Sequence, residues 1–440
     1  MKNDTIFALS SAHGKSGVAI YRISGQKSLQ ILKSIAPDVK DIQHRFLTRT
    51  KIINPKNSEE IDDGMVVFFK APFSFTGEDV IEIHTHGSIA IKKSLTETIL
   101  SIDDVRYAEA GEFTKRAVLN DKMDLTKAEG LMDLINAETL IQQKQAIRQM
   151  RGALYDQCDN WRESILSIMS LLEAFIDFPD EEIPNTVLLD VEDKISKISS
   201  SLLSYLDDKR KGERLREGIR LAIYGKPNVG KSSLLNYLSK RNIAIVSDIS
   251  GTTRDILESH IDINGYPIIL IDTAGIHTKT KNQIELEGIR RAKIEIEEAD
   301  IKIYMQDLSD YKIFDIMDEN TIYVINKVDL NNEDLLSIQT NDYLKISIKK
   351  DIGLDKLIEK ITEKASEFAG NGDSPTITRA RHRAAIQKAY DALSRCDLQD
   401  DLVLAAENLR ISARALYDLI GNIDVEEVLD KIFSTFCVGK

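Results

Sequence analysis

The sequence predicts a multidomain protein of mixed α+β and α/β class. An α+β domain leads, and an all-helical domain follows that is interrupted by an inserted α/β nucleotide-binding domain. Three observations predict this. β-rich runs alternate with helical pieces up to about Lys122, helical periodicity takes over beyond it, and a phosphate-binding string with strand-like flanks breaks that periodicity in mid-chain. The corresponding divisions are 1–119, 120–215, 216–372 and 373–440.

In the first division, Gly17-Val18-Ala19-Ile20-Tyr21-Arg22-Ile23 and Gly64-Met65-Val66-Val67-Phe68-Phe69 read as strands. Alternation through Val80-Ile81-Glu82-Ile83-His84-Thr85-His86 puts Glu82, His84 and His86 on one strand face. Taken cold, that face is either polar strand surface or a metal site. Farther on, Leu154, Cys158, Trp161, Ile165, Ile168, Leu172 and Phe175 recur at steps of four and three, one apolar stripe along a helix that runs to Pro179. Cys158 lies on the stripe and reads as a core residue.

Ile195 to Leu206 forms a second helical pattern, Leu354 to Phe368 a helix that closes the inserted domain, and Gly370-Asn371-Gly372-Asp373-Ser374-Pro375 its exit. Ala384 to Leu393 and Leu402 to Ile420 are helical again. Neither helical half is self-sufficient, so the economical topology is one helical domain with an insertion whose ends lie close in space.

The inserted domain carries the chemistry. Gly225-Lys226-Pro227-Asn228-Val229-Gly230-Lys231-Ser232-Ser233 fits G-x-x-x-x-G-K-[ST] after the apolar run Ile219 to Tyr224. In such a loop backbone N–H groups wrap phosphates, Lys231 supplies charge at the β and γ positions, and Ser232 offers a hydroxyl to Mg²⁺. Asn228, Val229, Gly230, Lys231, Ser232 and Ser233 are the candidate contacts. Asp272-Thr273-Ala274-Gly275 ends a second apolar run, where Asp272 can hold the Mg²⁺ shell through water and the Gly275 N–H can meet a γ-phosphate. Asn326-Lys327-Val328-Asp329 ends a third, Thr321 to Ile325. The Asp329 carboxylate can accept from guanine N1–H and N2–H₂, donors that adenine lacks there. Ser347-Ile348-Lys349 fits a loop that backs the base. The ordered set predicts a P-loop GTPase domain of Ras-like type.

Composition frames this site. The chain has 440 residues, 42% of them hydrophobic and 29% charged, with a net charge of −13, which argues against unspecific adhesion to nucleic acid. Two local basic clusters, Lys209-Arg210-Lys211 with Arg214 and Arg216, and Arg379, Arg381, His382 and Arg383, read as solvated helix ends. Three cysteines without C-x-x-C pairing argue against a disulfide framework or thiolate zinc site and suit a reducing, cytoplasmic setting. No leader-like or membrane-spanning run is evident, so no membrane association is expected.

Motifs outside the inserted domain carry a resemblance. Asp4-Thr5-Ile6, Arg22-Ile23-Ser24-Gly25, Phe75-Thr76-Gly77-Glu78-Asp79, Gly111-Glu112-Phe113-Thr114-Lys115-Arg116-Ala117, Asn120-Asp121-Lys122-Met123-Asp124-Leu125 and the final Cys437-Val438-Gly439-Lys440 resemble the tRNA modification GTPase family called MnmE or TrmE. The resemblance covers essentially the whole chain. It implies an amino-terminal folate-binding-type domain that also forms a homodimer, and a helical domain split by the GTPase domain. It also implies an FAD-containing partner of the MnmG or GidA type, joined in a heterotetramer. Together these add an aminomethyl or carboxymethylaminomethyl group at C5 of wobble uridine 34 of certain tRNAs, using a tetrahydrofolate one-carbon donor (5,10-methylene or 5-formyl).

Residue roles follow from the same resemblance. Arg22, Glu82 and Lys122 match folate contacts, and Cys437 and Lys440 match positions that approach that site; a plain tail thiol is the alternative for Cys437. Ile276 stands where small Ras-type enzymes have a glutamine that orients water, and an aliphatic chain cannot do so. The family pattern supplies K⁺ instead, held by Asn228 with Ser247, Ile249 and Thr252. Mg²⁺ falls to Ser232 and Thr253. Ser247, Asp248, Ile249, Ser250, Gly251 and Thr252 join Asp272, Thr273, Ala274 and Gly275 in the GTP contacts. Glu285 matches the acidic residue that orients water, with Glu287 competing; Arg254 and Asp255, which follow the two threonines, serve only to stabilise the switch loop. Ala110, where relatives usually have proline, and the glycine- and proline-poor stretch Ser10 to Gly17 depart from the family pattern.

Overall fold

The computed structural model describes residues 4–177, 185–241, 244–245, 258–271, 290, 293–314, 318–330, 342–372, 377–399, 401–421, 433–434, 436 and 439. The chain divides into two units, residues 1–128 with 418–440, and residues 129–417.

In the first unit, strands β1 (Thr5–Leu9), β2 (Ser16–Ser24), β3 (Thr48–Asn54), β4 (Glu59–Phe69), β5 (Val80–Gly87) and β6 (Val105–Tyr107) form one sheet, ordered β3-β4-β5-β2-β1-β6. Its pairs are antiparallel except the parallel β1–β6 edge. Helices α1 (Ser28–Ile35) and α2 (Ile89–Leu100) cover one face, where Phe7, Tyr21, Ile23, Ile81 and Ile83 meet Ile31, Leu32, Leu95 and Ile99. Each such side chain contributes about 1.5–3 kcal/mol on burial. Because side chains alternate, Arg22 and Glu82, paired across β2 and β5, point to the opposite face.

That second face is closed at the β1 end by Phe75, Ala108 and Phe113 against Ile6 and Ala8. Phe113 belongs to α3 (Glu112–Leu119), which starts after Gly111 at φ +66°. A Cβ on Gly111 would fall 2.7 Å from the Phe433 carbonyl oxygen and 2.9 Å from Phe436 Cβ, so only glycine lets the carboxy-terminal segment pack there. Arg116, one turn into α3, pairs with Asp4 at 3.1 Å, Glu112 at 2.9 Å and Glu78 at 3.2 Å. The sequence motifs around Asp4, Phe75–Asp79 and Gly111–Ala117 are thus one interlocked structure.

In the second unit, α5 (Leu140–Met150), α6 (Ala153–Asp177), α7 (Asn185–Leu206) and α8 (Lys211–Glu217) follow α4 (Leu125–Asn136). The α6 stripe is buried from Leu154 through Cys158 to Leu172, and its Trp161 indole N–H donates to Ser201 Oγ on α7 at 3.0 Å. Beyond α8 come β7 (Ile219–Gly225), α9 (Lys231–Arg241), β8 (Ala244–Ile245), β9 (Glu258–Ile263), β10 (Tyr266–Ile271), β11 (Ile301–Asp307), β12 (Thr321–Asn326), β13 (Tyr343–Lys345) and α10 (Leu354–Ala369). The seven strands are ordered β13-β12-β11-β7-β10-β9-β8. Strands β13 through β10 in that order run parallel, and β9 and β8 close the edge antiparallel. Their near-continuous apolar composition follows from burial on both faces.

Helix α11 (Ala380–Leu393) and helix α12 (Leu402–Ile420) as far as Tyr417 complete the unit. Helix α11 begins four residues before the expected Ala384, because polar residues there are paired and buried instead of ending the helix. Arg379, Arg381, His382 and Arg383 correct the expectation of a solvated helix end. Glu129 on α4, 1% exposed, accepts from Arg381 Nε at 2.6 Å and from His382 Nε2 at 2.7 Å. Arg379 grips Asp133 through both terminal nitrogens at 2.7 Å, and Arg383 bonds Asp208 at 2.6 Å and Glu213 at 2.9 Å. Arg214 and Arg216 of the earlier cluster are also engaged, with Asp300 at 2.7 Å and the Thr378 carbonyl at 2.8 Å. The cations at the entry and exit of the inserted domain therefore hold the junction together.

Burial alone would raise the Glu129 carboxyl, but His382 and Arg381 outweigh it and hold it well below the usual carboxylate range. Burial keeps the His382 imidazole below its ordinary value. The folded chain then lacks a proton that the unfolded chain takes up, so stability is full above about pH 6.5 and falls as pH drops below it, with further loss from Glu129 below about pH 4.5. Glu129→Ala, which leaves the Arg381 guanidinium and the buried His382 N–H without their acceptor, is expected to cost about 3–5 kcal/mol in denaturant unfolding at pH 7.5. Glu129→Gln, which keeps an acceptor, costs less. An unchanged midpoint for Glu129→Ala would show that the network does not hold the junction.

Candidate functional site

The phosphate-loop candidates sit at the carboxyl end of β7, where the chain turns into α9. Ligands of parallel α/β sheets bind at this end, and a helix N-terminus there favours anions. Lys231 Nζ donates to the carbonyls of Gly225 at 3.0 Å and Lys226 at 2.9 Å, arching over the loop. Burial lowers its pKa. Gly230, at φ +108°, leaves room for Asn326: a Cβ there would lie 2.4 Å from Asn326 Nδ2.

Asn326 is the residue that gathers the loops. Its Nδ2 donates to the Val229 carbonyl at 2.8 Å, and its Oδ1 accepts from Ile348 N–H at 3.4 Å. The phosphate loop, the β12 end and the β13 end are thereby fixed to one 4%-exposed side chain. Asp329 stands three residues on, with Oδ1 accepting from Ser347 Oγ at 2.6 Å. That bond chiefly holds its carboxyl below the usual range, with Lys349 and Lys350 adding to it. The carboxylate is oriented and ionised, as a double acceptor for a base must be. Ser347 Oγ also accepts from Lys350 N–H at 3.2 Å, which sets the turn containing Ile348 and Lys349.

Ser247, Asp248, Ile249, Ser250, Gly251, Thr252, Thr253, Arg254, Asp255, Asp272, Thr273, Ala274, Gly275, Ile276, Glu285 and Glu287 lie outside the described residues. Of the expected metal ligands, Ser232 and Asn228 are described, both exposed. Hydroxyl and amide oxygens at an open loop suit hard cations such as Mg²⁺ and K⁺.

The second candidate site lies on the first unit's sheet face away from α1 and α2. Arg22 Nε and Nη2 donate to Glu82 Oε1 at 3.0 and 2.8 Å, leaving Oε2 toward His84 Nε2 at 3.6 Å. His84 holds the Glu82 carboxyl low, burial opposes it, and Arg22 adds to the lowering. The Arg22 guanidinium lies 5.4 Å from the Phe75 ring centre and 5.9 Å from that of Phe113. The same 75–79 loop reaches Lys122: a Cβ on Gly77 would fall 3.1 Å from Lys122 Cε, and Asn120 Nδ2 donates to the Thr76 carbonyl at 2.7 Å. Arg22 and exposed Lys122 therefore border one loop, and Glu82 is held by Arg22. The donor set fits a reduced folate, with a carboxylate for pterin N–H groups and cations for carboxylates.

His86 does not join Glu82 and His84 in a metal cluster. Its Nδ1 bonds Asp62 at 2.9 Å, and no group of three metal-binding side chains occurs among the described residues. Cys437 and Lys440 lie outside the described residues. Phe436 packs on Gly111, and the Gly439 carbonyl accepts from Ser10 Oγ at 3.1 Å, just past the strand whose Ala8 pairs with Arg22. Phe75 and Phe113 are site neighbours that the motifs do not mark by chemistry. Asp307, which holds Lys327 Nζ, is likewise unmarked except by ending a parallel strand, as Gly225 and Asn326 do.

No helix among the described residues is long and apolar enough to cross a membrane. A family profile described as the MnmE helical domain matches residues 125–437, and one described as the GTP-binding protein TrmE N-terminus matches residues 5–122. A tRNA modification GTPase MnmE of Rickettsia bellii is 52% identical over 445 aligned positions, covering 99% of this chain and all of the relative. That of Rickettsia typhi is 51% identical with the same coverage. With both profiles and full-length identity above half pointing the same way, the chain belongs to the MnmE family of tRNA modification GTPases.

Proposed function

We propose that this chain hydrolyses GTP and uses a tetrahydrofolate one-carbon donor to modify wobble uridine 34 of certain tRNAs. It works as a homodimer with an FAD-containing MnmG-type partner in a heterotetramer, in the cytoplasm, and installs an aminomethyl or carboxymethylaminomethyl group at C5. One observation carries this reading. A single chain of this family holds both an oriented Asp329 carboxylate beside a phosphate loop and an Arg22–Glu82 pair open to a second ligand.

In this reading Asp329 accepts from the two guanine donors, while Asn326 holds its loop to the phosphate loop. Lys231 moves from the loop carbonyls to the β- and γ-phosphate oxygens, a charge-assisted exchange. Gly275 meets the γ-phosphate and Glu285, with Glu287 as the competing assignment, orients the attacking water. Ser232 and Thr253 would hold Mg²⁺, and Asn228, Ser247, Ile249 and Thr252 would hold K⁺; these cations supply charge neutralisation at the phosphates. At the other site Glu82 accepts pterin N–H groups, Arg22 and Lys122 bind polar and carboxylate groups of the folate, and Cys437 and Lys440 approach from the tail.

Asp329→Asn removes one acceptor and adds a donor facing the guanine N–H groups. GTP affinity is expected to fall at least about a hundredfold, with preference moving toward xanthine nucleotides. Unchanged GTP turnover and affinity would end the base-reading role.

Hydrolysis is expected to be on the order of ten- to a hundredfold faster in K⁺ than in Na⁺, and Asn228→Ala to flatten the difference. Equal rates in the two salts for the unaltered protein remove K⁺ from the reaction.

Calorimetric titration with 5-formyltetrahydrofolate is expected to show saturable binding that Arg22→Ala weakens about tenfold or more. Absence of binding to the unaltered protein would remove the folate reading and leave the nucleotide site standing.

A further inference from the structure

Beside the nucleotide loops lies a turn that no motif includes. Strand β11 ends at Asp307, directly opposite Asn326 in the parallel register with β12. The chain then makes one short helical turn, Leu308–Asp310, capped by Asp307 Oδ1, which accepts from Ser309 N–H at 3.0 Å and Ser309 Oγ at 2.9 Å. Leu308 is buried with Tyr323, Ile325, Val328 and Tyr343. Gln306 braces the far side, donating to the Lys312 carbonyl at 2.9 Å and accepting from Lys312 N–H at 2.7 Å. The turn is thus anchored by packing, against Val328 of the base loop among others, and by its own hydrogen bonds.

Each of its two carboxylates holds a lysine from a different loop. Asp307 Oδ2 accepts from Nζ of Lys327, which sits between Asn326 and Asp329 in the left-handed backbone region at φ +65°. Asp310 Oδ2 accepts from Nζ of Lys226, whose own carbonyl receives Lys231 Nζ at 2.9 Å. A left-handed lysine costs on the order of 1 kcal/mol and persists where the surroundings hold it. The Asp307–Lys327 pair is the less exposed, with side-chain exposures of 19% and 35% against 63% and 54% for Asp310 and Lys226. It is the stronger and less salt-screened of the two.

We propose that the 307–310 turn is a further element of the nucleotide site, in which Asp307 and Asp310 are positioning residues that hold the base loop and the phosphate loop in register and so set how long a guanine nucleotide is retained. This rests on the guanine-nucleotide reading of the loops. Asp307 acts through Lys327 on the segment carrying Asp329, and Asp310 acts through Lys226 on the segment that Lys231 spans. Neither touches the transferred phosphoryl group, so loss of either changes retention far more than chemistry.

The test uses the full-length protein, with release of fluorescent GDP and steady-state GTP hydrolysis measured for Asp307→Asn, Asp307→Glu and Asp310→Asn. Asp307→Asn keeps shape and removes charge; it is expected to speed GDP release and raise the KM for GTP about tenfold, with kcat changed less than about twofold. Asp307→Glu is expected to recover most of the retention. Asp310→Asn is expected to speed release only about twofold at low salt, an effect that vanishes by about 0.5 M salt. The double exchange Lys226→Asp with Asp310→Lys is expected to restore it. Release from Asp307→Asn at the parent rate overturns the proposal and leaves the nucleotide reading intact. Equal loss in kcat and retention together with a lowered melting temperature overturns it in favour of a purely structural turn. Failure of the unaltered protein to retain GDP overturns both.

Discussion

A carboxylate buried to 1% exposure cannot remain charged without partners, and Glu129 meets that constraint by drawing Arg381 and His382 onto itself. The consequence reaches across the second unit. Residues 379–383 follow the exit of the inserted domain, and residues 206–217 lead into it; Arg383 ties the two through Asp208 and Glu213 while Arg216 reaches back to the Thr378 carbonyl. An insertion is tolerated only where its ends are held close, and here desolvated charge holds them. A hydrophobic junction would pack as well but would not fix which arginine meets which acid.

The nucleotide site repeats the same economy with one amide. Asn326 bonds both Val229 and Ile348, and these contacts tie the phosphate loop to the loops that follow β12 and β13. The carboxylate that the proposed function assigns to the base, Asp329, is held by a hydroxyl from the next loop instead of a cation. A guanidinium in that place would compete with guanine for both acceptor oxygens; Ser347 occupies only one of them. Lys327, which could have served as such a cation, is withdrawn by Asp307.

On the first unit's sheet, the register of β2 against β5 does the corresponding work. Placing Arg22 opposite Glu82 puts a charged pair on the side away from α1 and α2, and the aromatic rings of Phe75 and Phe113 shield the guanidinium without burying it fully. The carboxy-terminal segment enters by the gap at Gly111 and returns to Ser10. Gly439 thereby lies beside Ser10, just past the strand whose Ala8 pairs with Arg22.

What the sequence determined by itself was whatever depends on short-range pattern. The α6 stripe from Leu154, the strand ending at Asn326, the phosphate loop and the alternation that sends Glu82 and His84 to one face are all periodicities or turns that need no knowledge of distant residues. The family motifs were equally legible, because Asp4, Glu78, Glu112 and Arg116 are recognisable without knowing that they meet. Only the tertiary structure decided how charge is paired. Arg379, Arg381, His382 and Arg383 look like a solvated cluster because their acids lie at positions 129, 133, 208 and 213, and sequence separation hides an ion pair completely. The same holds for His86, whose partner is Asp62, and for Asp307, whose partner Lys327 comes near only when β11 is laid beside β12. Local backbone preference is written in neighbouring residues, whereas the partner of a charge is chosen by the chain's path through space, and that is set by the packing of all the elements together.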